Sequence, residues 1–147
     1  MMPRMRTDDP RPDLAFETLA VRAGAEPDEA TGAVAPPIYQ TSTFAQDGVN
    51  RPRGGYDYAR SANPTRDRLQ RAVAALEGGR EGIAFASGSA ATAAIAELAP
   101  SGSEIVVGDD VYGGTYRYLE QVRRGNGVDA RYADLARDPD ALWETMS

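Results

Sequence analysis

The chain has 147 residues, 41% hydrophobic and 26% charged, and its 16 basic residues against 22 acidic ones leave a formal net charge of -6 at pH 7. That length supports one modest domain, and the acidic balance argues against nucleic-acid or anionic-membrane partners, which need positive charge to neutralise phosphates. All 16 basic residues are Arg; without Lys, His or Cys, the sequence holds no side-chain amine, imidazole base, thiol nucleophile, disulfide, or His or Cys metal site.

Taken in chain order, Met1 to Asp13 mixes Pro, Arg and Asp without periodicity and reads as a flexible tail. Leu14 to Ala23 predicts a short helix, with Asp13 as N-cap, a partly apolar face of Leu14, Thr18, Leu19 and Val21, and Gly24 as the stop. Glu26 to Arg53 carries Pro27, Pro36, Pro37 and Pro52, which favour extended and turn structure, so it is expected to be a long irregular arm. An arm of that length is functional or lies on a partner. The helix and arm together make a segment over 14–62, followed by a second over 63–147.

From Asn63 the texture changes. Asn63 then Pro64 is an N-cap followed by Pro at the first helical position; Leu69, Val73 and Leu76 give an apolar stripe, and Gly78 and Gly79 end the helix. Gly82 to Ala86 reads as a short buried strand, Ala90 to Ala99 as a helix stopped by Pro100, and Glu104 to Val107 as a second strand. Thr115 to Arg124 suits a helix, Val128 to Tyr132 a third strand, and Pro139 to Glu144 the start of another helix. This alternation predicts an α/β fold with a doubly wound, mostly parallel sheet. The last residues, Ala141 to Ser147, break off inside an expected helix without a stop, which reads as a truncated domain. No apolar run approaches the roughly 18–20 residues that span a bilayer, and the N-terminus lacks a secretory signal, so the expected location is the cytoplasm.

In a doubly wound sheet ligands sit beyond the carboxyl ends of strands, at the strand-to-helix turns. One such turn is Ala86-Ser87-Gly88-Ser89-Ala90-Ala91, where the backbone N–H groups of Gly88 and Ser89 either receive a phosphate or belong to an ordinary helix cap. The other is Gly108 to Arg117. Tyr112 there either stacks on a planar ligand or fills the groove between sheet and helix, and Arg117 either meets a carboxylate or is solvated. Upstream, Tyr58 and Arg60 share one face if the segment is extended, so that both address one anion, or else Tyr58 packs the arm and Arg60 is an exposed charge pair.

Together the segments PPIYQTSTF (Pro36 to Phe44), YDYARSANPTRDRLQRAVAALEGG (Tyr56 to Gly79), AFASGSAAT (Ala84 to Thr92) and GDDVYGGTYRYLEQV (Gly108 to Val122) closely resemble the Cys/Met-metabolism family of pyridoxal-phosphate enzymes. The wording around VYGGTYRY and SANPTR is most similar to cystathionine gamma-lyase, with gamma-synthase next. The resemblance implies the N-terminal part of a fold-type-I enzyme using pyridoxal 5'-phosphate on a sulfur amino-acid substrate. It implies that Gly88 and Ser89 bind the cofactor phosphate through backbone N–H groups and that Tyr112 stacks on the cofactor ring. Tyr58 and Arg60 are implied to reach the phosphate of the adjacent subunit, so the resemblance implies a homo-oligomer, a homotetramer in the family. Arg60, Tyr112 and Arg117 are the implied substrate contacts. Ser89 departs from the Met or Leu often found there, but the role belongs to the backbone. The family's Schiff-base Lys has no counterpart in the chain, so no catalytic residue is assigned and the chain alone is expected to be inactive. The implied reaction is gamma-elimination of cystathionine, with gamma-replacement by a synthase or sulfhydrylase, or an inactive remnant, as the alternatives.

Overall fold

The computed structural model describes residues 15–23 and 26–135. They fall into two compact units that divide between Ala84 and Phe85. In the first, helix α1 covers Phe16–Arg22 and helix α2 covers Pro64–Leu76. The N-cap of α1 is Ala15, with no capping side chain; the expected cap Asp13 and stop Gly24 lie outside the described residues, as does the helix expected from Pro139. Helix α2 starts where the sequence places it: the Asn63 side chain accepts from the Thr65 N–H at 2.9 Å, and Pro64 takes the first helical position. Asn63 is itself buried, and its Nδ2 donates to the Tyr39 carbonyl at 3.1 Å. One amide thereby caps a helix and anchors the arm. We expect Asn63→Ala to cost about 1–2 kcal/mol of stability, the cap plus the orphaned carbonyl, and Asn63→Asp also to destabilise, because it keeps the cap but turns a carboxylate oxygen toward the Tyr39 carbonyl; urea unfolding at fixed protein concentration checks both.

The arm has no regular element, as its prolines dictate. It is held by isolated antiparallel bridges between Thr43 and Tyr58 and between Gln46 and Pro52, and by a tight turn over Asp47 to Arg51 that places Asn50 at φ 55. Asp47 closes this turn through an ion pair with Arg53 at 2.7 Å.

The second unit holds helix α3, Gly88–Ala96, strand β1, Glu104–Gly108, helix α4, Gly113–Tyr118, and strand β2, Asp129–Ala133. The strands pair in parallel, from Glu104 opposite Asp129 to Gly108 opposite Ala133. Parallel neighbours require a crossover connection, and α4 with its continuation supplies it. That continuation corrects the single helix expected over Thr115 to Arg124. The α-helix starts two residues earlier and passes at Leu119 into a π-helical segment, Leu119–Arg123, then a 3-10 turn, Arg124–Asn126. The widened turn places both Leu119 and Arg123 inside, at 2% and 5% exposure. Glycine at 127 ends the run with φ 78, a left-handed position that suits it.

The strand expected over Gly82 to Ala86 does not form among the described residues. The composition suits a strand, but a strand needs a ladder partner, and the Ala84 N–H donates to the Gln70 side chain at 2.9 Å instead. Ile83 is exposed rather than buried. The apolar stripe of α2 is likewise open at Leu69 and Val73, and only Ala74 of that helix is buried. In the second unit the buried apolar residues are Ala96, Leu119, Val128 and Ala133, with the Tyr116 and Tyr132 rings 5.3 Å apart beside them. Burial, together with a hydrogen bond to Glu120, pushes the Tyr132 phenol up to about 12. Among the described residues no helix is long and apolar enough to cross a membrane.

Candidate functional site

Helix α3 begins in a strand-to-helix turn made of small residues. Ser87, in extended backbone, caps it by accepting the Ala90 N–H at 3.1 Å through its hydroxyl. The N–H groups of Gly88 and Ser89 are left without a hydrogen-bond partner among the described residues, both residues are exposed, and no atom lies within 4 Å of a Cβ built on Gly88. Free donors at the positive end of a helix, next to open space, make a surface to which an oxyanion can approach.

Tyr112 is the N-cap residue of α4, and its ring is 70% exposed. It fills no groove between sheet and helix. A Cβ built on Gly114 would lie 3.0 Å from Tyr112 Cδ1 and 3.2 Å from Cζ, so the ring leans back over the first turn of its own helix. Arg117 folds toward the same end: its Nη1 lies 3.6 Å from a Cβ built on Gly113. No acid pairs with Arg117 among the described residues. An exposed aromatic face and an uncommitted guanidinium thus share the entrance of α4, which itself packs against α3.

In the first unit Tyr58 and Arg60 come together, though not through the extended backbone expected of them. Residues 58–61 form a turn, in which the Ser61 and Ala62 N–H groups both donate to the Tyr58 carbonyl at 3.0 Å. The turn brings the Arg60 guanidinium carbon to 5.1 Å from the Tyr58 ring centroid, a cation–π contact. Arg60 has no acidic partner among the described residues, so the guanidinium keeps its hydrogen-bond donors available. Tyr58, Ala59 and Arg60, with Tyr39 to Ser42, line a shallow groove of about 420 Å³.

Two supporting residues escape a reading of motifs by residue type. Arg66 donates through Nη1 to the Ala59 carbonyl at 2.8 Å and through Nη2 to the Ser61 carbonyl at 2.9 Å, gripping the backbone on both sides of Arg60. Thr65 accepts the Tyr39 N–H at 2.9 Å, so the start of α2 holds both the N–H and the carbonyl of Tyr39. The only signal for either is their place in SANPTR, immediately after the turn that they brace.

Residues 17–146 match the Cys/Met metabolism PLP-dependent enzyme family. The chain belongs to that family. A protein named "Probable cystathionine gamma-synthase" from Herpetosiphon aurantiacus is 45% identical over 130 residues, which is 88% of this chain and 40% of the relative. The cystathionine beta-lyase of Coxiella burnetii is 52% identical over 123 residues, 82% of this chain and 31% of the relative. Among solved structures, yeast cystathionine gamma-lyase superposes with a TM-score of 0.77 at 43% identity, covering 93% of this chain and 35% of that one. The chain therefore has the fold of these enzymes over most of its own length, and spans between about a third and two fifths of theirs.

The family's cofactor is pyridoxal 5'-phosphate, and the residues present suit it. A phosphate dianion needs converging N–H donors with no carboxylate among them, and the α3 turn, Ser87-Gly88-Ser89, offers backbone donors and two hydroxyls. A pyridine ring needs a flat, accessible partner, and the exposed Tyr112 is one. Open space beside Gly88 leaves room for close backbone approach.

Proposed function

We propose that this chain forms the cofactor-facing front part of a pyridoxal-phosphate-dependent carbon–sulfur enzyme of the cystathionine gamma-lyase type. The observation that carries this reading is the α3 entrance: two free backbone donors beside open space, in a family whose cofactor bears a phosphate. When bound, pyridoxal phosphate withdraws electrons from the α carbon of an amino-acid substrate. In this reading Gly88 and Ser89 donate to the cofactor phosphate, and Tyr112 covers the ring and excludes water from that face. Arg117, on the same end of α4, orients the substrate carboxylate. Tyr58 and Arg60 reach across to the phosphate in a neighbouring copy, with Arg66 fixing the turn that presents them.

Association of copies is supported by the apolar surface that the described residues leave open. Leu69 and Val73 on α2, Ile95 and Leu98 around the end of α3, and Ile83 are all exposed. Apolar side chains on an open helix face suit burial against another surface, and the reading includes a homo-oligomer.

The named relatives divide among gamma-synthase, beta-lyase and gamma-lyase, and gamma-replacement is the second reading. In an assembled enzyme the products separate them. Cleavage of cystathionine at its γ carbon releases cysteine, cleavage at its β carbon releases homocysteine, and gamma-replacement instead consumes cysteine together with an activated homoserine.

The cofactor site is tested on the chain directly. Pyridoxal 5'-phosphate is expected to bind about tenfold or more tightly than pyridoxal, which lacks the phosphate. Arg60→Ala narrows that gap, whereas Tyr112→Ala weakens both ligands alike. Equal affinity for the two ligands would overturn the assignment of the α3 entrance.

A further inference from the structure

We propose that Gly114 is a positioning residue that acts through Tyr112: the missing side chain is the seat in which the Tyr112 ring rests. The inference rests on the reading above that this ring faces the cofactor. Gly114 sits in the first turn of α4, where glycine weakens a helix relative to alanine. Its backbone does not call for glycine, since it is not among the residues with positive φ. What distinguishes the position is space. The three atoms nearest to a Cβ built there all belong to the Tyr112 ring: Cδ1 at 3.0 Å, Cζ at 3.2 Å, and Cε1 closer still. At the adjacent Gly113 the nearest atom is Arg117 Nη1 at 3.6 Å, an ordinary contact. Of the glycine pair, only the second is cleared for the ring.

The ring has little else to hold it. Tyr112 is 70% exposed and has no ring partner among the described residues. A methyl group at 114 would therefore push it to another rotamer with little resistance from packing. The expected signature is unusual for a glycine substitution: helix stability unchanged or improved, and ligand binding impaired.

The test uses the 147-residue chain and its Gly114→Ala, Tyr112→Ala and doubly substituted forms. Titrated with pyridoxal 5'-phosphate, Gly114→Ala is expected to bind about fivefold more weakly, the scale of a stacking contact, with a thermal midpoint equal to or above that of the parent. In the Tyr112→Ala background, Gly114→Ala is expected to change affinity no further. Parent-like affinity of Gly114→Ala, or a loss that persists without the ring, would overturn the proposal. A second readout needs no ligand. The Gly114 Hα protons should show a ring-current shift that disappears in Tyr112→Ala; absence of that shift in the parent overturns the seat alone. If the shift is present but Tyr112→Ala binds pyridoxal 5'-phosphate as the parent does, the stacking reading fails, and the role of the seat in binding fails with it.

Discussion

Mixed with pyridoxal 5'-phosphate and treated with borohydride, the chain is expected to retain label at its α-amine and nowhere else. The chemistry leaves no other site. An aldehyde condenses with a neutral amine, and all 16 basic side chains here are guanidinium groups, charge-delocalised and non-nucleophilic. The α-amine is the one amine present. Peptide mapping after reduction checks this, and an internal pyridoxyl group would contradict it. The contrast is all or none. In the proposed site Gly88, Ser89 and Tyr112 would hold the cofactor by hydrogen bonds and stacking alone, so binding should be reversible on dialysis. The chain should also release thiol from cystathionine no faster than the same concentration of free cofactor does, measured with a thiol-reactive dye; release above that protein-free rate would show that an amine of the protein is dispensable.

What could be read from the residues was what is local. The Asn63-Pro64 start of α2 depends on a side chain reaching two residues onward, and its form follows from residue type. The Glu104 start of β1 follows from short-range pattern in the same way, whereas α3 starts two residues before the expected Ala90 with Ser87 as its cap, and β2 one residue after the expected Val128. The failures involve distant partners. Whether Gly82 to Ala86 pairs as a strand depends on what lies beside it, and the Gln70 side chain, 14 positions away, takes the Ala84 N–H. Arg123, the last residue of the π-helical segment, pairs with Glu97, 26 positions away, which no local pattern announces. The same divide runs through the site. Tyr112 and Arg117 lie only five positions apart in one strand-to-helix turn and are legible together, whereas the grip of Arg66 on the carbonyls flanking Arg60 requires a turn at 58–61 in place of an extended strand.

Substitution of Arg123 should have the largest effect on the stability of the second unit. Its side chain is 5% exposed, yet it carries a full charge, which a protein interior tolerates only when paired. Nη1 meets Glu97 Oε2 at 2.9 Å and Nη2 donates to the Ala99 carbonyl at 2.6 Å, while Nε has no partner among the described residues. Glu97, the C-cap residue of α3, also accepts from the Tyr118 hydroxyl at 2.6 Å. Two residues of the α4 run thus converge on one carboxylate and lock it to α3. Arg123→Ala removes both bonds and leaves a void, at an expected cost of about 3 kcal/mol, a large fraction of the roughly 5–15 kcal/mol that holds a domain together. Arg123→Met fills the void and carries no charge, so it should cost less. Glu97→Ala should be partly rescued by adding Arg123→Met, because the double variant no longer buries an unpaired cation; a double variant less stable than Glu97→Ala alone would refute the pairing. The pH dependence has a fixed sign. The Tyr118 hydrogen bond is the main cause that holds the Glu97 carboxyl below its ordinary value of 4.5; burial opposes it, and the Arg123 charge and hydrogen bond add to the lowering. Stability from this group is therefore present above that ordinary value and lost as pH falls through the lowered one. At the alkaline end the Tyr118 phenol is raised above 10.0, chiefly by its bond to Glu97, so its contribution is complete below pH 10.0 and is lost as pH rises through the raised value. Glu97→Gln should flatten both the acid limb of a plot of unfolding midpoint against pH and the alkaline decline that comes from Tyr118. An acid limb unchanged by that substitution would place the titrating carboxylate elsewhere.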